Sequence, residues 1–377
     1  MIYFDNNATT FLAPEVEAAV AEAQRAFGNA GSVHRAGREA RRLLNESREK
    51  IAALFGVPES TLSFTSGATE ALNAAMLSFL AYGSGPRHLI VSRVEHSAVL
   101  RTAEFLESVG VELSYLDVDG EGRLDPEAVE AAFRPHTRLV AVMFANNETG
   151  NLYPVKRIGE LARARGVPYL CDAVQAAGKL ELDFSRLPID VSALSAHKFH
   201  GPKGVGLLYA RQGVQIHPWM HGGRQERGLR AGTENVPAIV GMACALELAT
   251  RRIFEDQRRV TRMRDRLQEG LLDRVPGLLI NGDVEHRVGN TLNFRVPGVS
   301  GETLLMNLDM EGIAVSVGAA CDSGSLEPSH VLTAMGLNET EALEGVRVSL
   351  SRASTDAEVE AFLETLPRLV AKIREAA

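Results

Sequence analysis

Asp172 and Lys198 lie twenty-six residues apart, each just past a short apolar run, 168–171 and 191–195. Such runs read as buried strands, so both side chains should stand at strand ends, Lys198 on a turn at the edge of a sheet. A carboxylate fixed there can keep a ring nitrogen protonated through a charge-assisted hydrogen bond. A lysine amine nearby can condense with an aldehyde. Those are two of the needs of a pyridoxal phosphate site, and the third is a phosphate cradle. In FTSGATEALN, 64–73, a strand ends and Ser66-Gly67-Ala68-Thr69 opens a helix. Its free N–H groups and dipole favour an anion, and the Thr69 hydroxyl adds a donor. Each feature alone has a plainer reading. Asp172, Ser66 and Thr69 are common helix caps, and most lysines in a Gly/Pro-rich turn such as SAHKFHGPKG are solvated. The order of the three along the chain favours the cofactor.

The elements that must position these residues alternate. Strand-like runs at 62–65, 88–92, 113–118, 139–144, 168–171, 191–195 and 205–209 are separated by helical stretches such as 69–81, 98–109 and 155–165. Asp125-Pro126-Glu127 opens another helix, a cap followed by proline. This pattern predicts βαβ units and a mostly parallel sheet covered by helices on both faces, an α/β fold whose ligands bind beyond the strand ends. From Val236 a long helical stretch runs towards Val275, and its arginine-dense part, 251–266, reads as a solvated face. Strands at 278–281 and 290–296, a helix near 302–310 and a last helix from Asp356 predict a smaller α+β domain. The expected division is a large domain, 13–254, and a small one made of 1–12 and 255–377.

Composition narrows the function. With 377 residues, 45% hydrophobic and 23% charged, the chain is an ordinary globular protein. A net charge of −8 argues against broad nucleic-acid binding, and no apolar run approaches the roughly 18 residues of a membrane span. The start, Met1-Ile2-Tyr3-Phe4-Asp5, lacks the pattern of a signal peptide. Cys171, Cys244 and Cys321 are far apart, without a CxxC pair, and His197 and His200 lack metal-ligand spacing. No metal or disulfide framework is expected, which fits a reducing cytoplasm.

The motifs YFDNNATT (3–10), TSGATEALN (65–73), VEHSAVL (94–100), ANNETG (145–150), CDAVQAAGK (171–179), SAHKFHGPKGVG (195–206), RAGTEN (230–235) and GAACDSGSLEPSHVL (318–332) occur in that order. In them the chain resembles the cysteine desulfurases, pyridoxal-phosphate enzymes of the aminotransferase class V type. It is most similar to the branch serving iron–sulfur cluster assembly, and the lysine and cysteine motifs together set it apart from aminotransferases.

The resemblance implies a fold type I transferase acting on L-cysteine as a homodimer and passing sulfur to an acceptor scaffold protein. It implies Lys198 as the cofactor-bearing lysine, Asp172 at the pyridine nitrogen, Gln175 at the phenolic oxygen and His96 on the ring. Ala68, Thr69, Ser195 and His197 would hold the phosphate, joined by Thr233 from the second subunit. Asn147 would touch cofactor and substrate, and Arg347, with Arg352 as the alternative, the substrate carboxylate. Cys321 would be the sulfur-accepting nucleophile; Cys171 and Cys244 read as inert core. The residue after the nucleophile, usually Thr or Ser in this family, is Asp322 here. Other class V activities, selenocysteine lyase or aminotransferase, and a silent cofactor-binding scaffold are the alternatives.

Overall fold

A computed structural model describes residues 1–318 and 327–376. Seven strands form the central sheet: β1 Leu62–Thr65, β2 His88–Ser92, β3 Glu112–Leu116, β4 Thr137–Ala141, β5 Tyr169–Asp172, β6 Val191–Ser195 and β7 Gly206–Ala210. Their order is β1-β7-β6-β5-β4-β2-β3. Only β7 runs against the rest, pairing antiparallel with both β1 and β6. The expected α/β class with a mostly parallel sheet is therefore the one observed.

The central strands β2, β5 and β6 are buried along their whole length. They carry almost only apolar and small residues, because helices cover both faces. Two expected strands end early, β3 at Leu116 and β4 at Ala141. Beyond β4 the chain still follows β5, with Val142 N–H donating to Leu170 O (3.2 Å) and Phe144 N–H to Asp172 O (2.9 Å). This extension delivers Ala145 to Gly150 to the end of the sheet.

Two helices, Pro14–Ala23 and Arg35–Phe55, precede the sheet and pack on the long helix Val236–Arg274. Arg35–Phe55 buries Ala40, Leu44, Ile51 and Phe55, a stripe at helical spacing. Along Val236–Arg274 the apolar contacts change partners. Val236 to Leu246 join the core that also holds Ala13 and Val16, while Val260 to Leu271 join a second core with Phe4 and Phe362. The solvated-face reading of 251–266 is corrected in part. Arg251 and Arg252 are exposed, but Asp256 and Arg264 are buried between the helix and its neighbours.

The second core underlies a smaller antiparallel sheet of β8 Leu279–Asn281, β9 Thr291–Arg295, β10 Ser316–Val317 and β11 Gly345–Ser349, in the order β10-β11-β9-β8. The N-terminal pair Ile2–Tyr3 adds in parallel to Ile313–Ala314. Among the described residues no helix is long and apolar enough to cross a membrane.

Candidate active site

A cavity of about 1060 Å³ opens beyond the carboxyl ends of the parallel strands, between the main sheet and the small one. Asp172 ends β5, and Lys198 closes the single turn Ala196–Lys198 directly after β6. Because β5 and β6 are neighbours, with Asp172 opposite Ala193, the two side chains meet in this cavity. Lys198 thus sits at the end of an interior strand, not at the margin of the sheet. Its Nζ donates to Asn7 O (2.6 Å) and Ala8 O (2.8 Å). Burial lowers its pKa to about 8, helped by Arg347 and opposed by Asp172 and Asp5.

Asp172 accepts one hydrogen bond among the described residues, from Val174 N–H to Oδ1 at 2.9 Å. Burial raises its pKa, and His96 and Lys198 oppose the shift. His96 caps the helix Ser97–Ser108, its Nδ1 accepting Ala98 N–H at 3.1 Å. The capping bond fixes the tautomer, so Nε2 carries the proton. The ring lines the cavity and is exposed to it, and desolvation lowers its pKa.

The anion cradle forms where β1 meets the helix Ala68–Leu80 through Ser66 and Gly67. Strand β7 lies so close that a Cβ on Gly206 would come within 2.6 Å of Gly67 Cα. Ala68, Thr69, Ser195 and His197 line the cavity together there. The His197 ring pairs through Nδ1 with Thr9 Oγ1 (3.1 Å), and burial lowers its pKa to about 4, so the imidazole is neutral at neutral pH.

On the opposite wall Arg347 projects from β11. Its Nη2 meets Asp5 Oδ1 at 2.7 Å and its Nη1 donates to Asn147 O at 3.1 Å, while Nε is buried without a partner among the described residues. Arg352 lines a different, small cavity behind Lys198, with Lys179 and Asp256. Gln175 also lines the main cavity, donating to Asn7 O (3.0 Å). Thr233 is exposed and is not part of the cavity wall. Cys321 and Asp322 lie outside the described residues. The flanking residues Val317, Gly318, Glu327 and Pro328 line the cavity, and Ser329 Oγ–H donates to Glu148 Oε2. Cys171 is fully buried with its thiol pKa raised by burial, and the half-buried Cys244 is raised for the same reason.

The residues that sequence reasoning left without roles come mostly from 5–10. Asp5, Asn7, Ala8 and Thr9 hold Arg347, Lys198 and His197. The signal was the polar run Asp-Asn-Asn-Ala-Thr-Thr set before a proline-started helix. It also missed Glu95, wholly buried, bonded to Ser92 Oγ (2.6 Å) and Met143 N–H (2.9 Å) and raised by burial to about 8.

The donor set fits pyridoxal phosphate. A helix start, Ser195 and a neutral His197 suit the phosphate, the buried Asp172 suits a ring nitrogen that keeps its proton, and Lys198 lies between them.

The aminotransferase class-V family profile matches residues 2–362. A cysteine desulfurase of Trichormus azollae is 45% identical over 375 residues, covering 99% of this chain and 94% of that protein. The cysteine desulfurase IscS of Methanosarcina thermophila is 44% identical over 376 residues, covering 99% of this chain and 93% of that protein. The solved structure of a NifS-like protein superimposes with a TM-score of 0.93 at 37% identity, over 98% of this chain and 99% of that one.

Proposed function

The chain belongs to the aminotransferase class V family, and from that premise we infer that it is a pyridoxal-phosphate-dependent cysteine desulfurase, which takes the sulfur of L-cysteine and leaves L-alanine. The observation that carries this reading is the meeting of Lys198, Asp172, His96 and Arg347 in one cavity, with the residues flanking Cys321 in its wall.

When bound, the cofactor supplies an electron sink that makes the α-proton of the amino acid labile. Lys198 would hold its aldehyde and, once displaced by substrate, move the proton at the α-carbon. Asp172 would keep the ring nitrogen protonated, and His96 would cover the ring and assist proton transfer. Gln175 would donate to the phenolic oxygen. Ala68 and Thr69 N–H groups, Ser195 and the His197 Nε2–H would bind the phosphate, and Thr233 of a second copy would complete the cradle. Arg347 would take the substrate carboxylate, with Asn147 beside it.

Cys321, as thiolate, would attack the substrate sulfur. The carbon–sulfur bond breaks, Cys321 keeps the sulfur as a persulfide, and the carbon skeleton leaves as alanine after protonation. The persulfide sulfur would then pass to an acceptor scaffold for iron–sulfur cluster assembly, a reading supported by the IscS relative. A homodimer is inferred from the family the chain belongs to, and the exchange of cores along Val236–Arg274 supports a division into 13–254 and 1–12 plus 255–377.

The test is to supply the yellow holoenzyme with L-cysteine and a dithiol. Sulfide and alanine should form in equal amounts, and Cys321→Ser should retain the cofactor but release neither. Keto acid in place of sulfide would make the protein an aminotransferase.

A further inference from the structure

Lys179 is a buried lysine that the reaction scheme does not use. Among the described residues no carboxylate pairs with it, and the charges that act on it, Lys198 and Arg347, are both positive. Burial lowers its pKa to about 7. A buried cation with only neutral acceptors is costly unless an anion lies close by.

Its two acceptors locate that anion. Lys179 Nζ donates to Gln175 Oε1 and to Asn7 Oδ1, the latter at 3.1 Å. Asn7 O can only accept, so the NH2 of the Gln175 amide faces it and the carbonyl end faces Lys179. The Gln175 NH2 must then point elsewhere. One N–H reaches Asn7 O at 3.0 Å, and among the described residues the other has no protein acceptor, while Gln175 lines the main cavity.

Asn7 cannot yield to this arrangement. Its Oδ1 also accepts Asn290 Nδ2 (2.9 Å), and its Nδ2 donates to Asn147 O (3.0 Å) and Thr291 Oγ1 (2.8 Å). Its carbonyl accepts both Gln175 and Lys198. Lys179 and Lys198 are the cations of this network, and without Lys179 the Gln175 amide is held in this sense only by its bond to Asn7 O, with no charge left behind it.

We propose that Lys179 is a positioning residue for the cofactor: through its bonds to Gln175 and Asn7 it locks the Gln175 amide as a donor toward the phenolic oxygen and places a positive charge behind that bond. This rests on the assignment of Gln175 to the phenolic oxygen. The titratable groups that share the neighbourhood are Lys198, Arg347, Asp172 and His96, and among the described residues none of them hydrogen-bonds to Gln175, though Lys198 shares its acceptor Asn7 O.

The experiment uses resting full-length holoenzyme, without substrate, and reads the pH at which the visible band of the bound cofactor titrates. An anionic oxygen with fewer donors holds the adjacent nitrogen's proton more tightly, and one cation fewer acts in the same direction. Lys179→Met should raise the midpoint by roughly one pH unit, and Lys179→Arg should restore it, with cofactor content and thermal midpoint measured alongside. A lower thermal midpoint with an unmoved titration is what a merely structural lysine gives, and it overturns the proposal. If the methionine variant does not fold, Lys179→Gln is read the same way, since it too removes the charge. Gln175→Met separates the two assignments. It should raise the midpoint itself, and adding Lys179→Met to it should add less than a third of the single-variant shift. An undiminished addition means that Lys179 does not act through Gln175. No shift from Gln175→Met removes the phenolic-oxygen assignment, and the role of Lys179 with it.

Discussion

The segment that carries Thr233 is held by a buried ion pair, and breaking that pair should cost both stability and cofactor retention. Glu226 and Arg227 have φ of 45° and 59°, left-handed positions that cost an L residue about 1–2 kcal/mol each. They persist because Glu226 accepts Arg48 through both oxygens, at 2.7 and 3.0 Å, and Phe64 N–H at 2.9 Å. The Glu226 side chain is 2% exposed and that of Arg48 10%. Glu226→Gln preserves an acceptor for Phe64 but turns an NH2 toward the guanidinium and leaves Arg48 buried and uncompensated. Removing one partner of such a pair costs about 3–5 kcal/mol. At about 2.1 cal/mol/K per residue, 377 residues give an unfolding entropy of roughly 0.8 kcal/mol/K, so the midpoint should fall by roughly 4–6 °C. The released segment should also hold Thr233 less firmly, so the holoenzyme should lose cofactor faster on dialysis. In Arg48→Met/Glu226→Gln the orphaned charge is gone, and at least half of the loss should return. A Glu226→Gln midpoint within about 1 °C of the parent would refute the reasoning. So would a double variant as unstable as the sum of the singles, which would place the energy in Arg48's contact with the Phe64 ring.

Glu95 keeps its proton in the folded chain up to about pH 8 but loses it near 4.5 when unfolded, so it destabilises the fold progressively as pH rises between those values. Glu95→Gln should match the parent below pH 4.5 and exceed it by roughly 3 kcal/mol at pH 7, as read from unfolding midpoints across that range; parallel curves would sink the assignment. Arg347→Lys keeps a cation for Asp5 but loses the planar fork, and should raise KM for cysteine tenfold or more, about 1.4 kcal/mol, with the cofactor band unchanged. Gly206→Ala should loosen the cradle without touching Lys198, because its Cβ would fall 2.6 Å from both Gly67 Cα and Leu194 O; weaker cofactor retention with unaltered residual chemistry is expected, and full retention would show that β7 can move.

What was legible in the sequence follows from which forces are local. Asp172 and Lys198 end apolar runs, and the rule that parallel strands lie side by side brought them together without any contact being known. The bound of β4 slipped because Val142 to Phe144 are as apolar and hydrogen-bonded as a strand, yet already run on along β5 to carry Asn147. Arg347 was chosen over Arg352 on the resemblance alone, although the strand's alternation also favours it. Val346 and Val348 are fully buried in the second core, so two-residue alternation alone puts Arg347 on the other face of β11, toward the cavity, while Arg352 lies beyond the end of that strand. What no local rule could supply is the partnership of Arg347 with Asp5, 342 residues away in the chain. That contact exists because the N-terminal strand pairs with Ile313–Ala314 in a two-stranded sheet of its own over the second core before the chain crosses to the large core at Ala13. The same crossing sets Asn7 against Lys198, Gln175 and Lys179 at once. Residues 5–10 therefore act as the strap between the two cores, and this polar run holds the cations on both walls of the site.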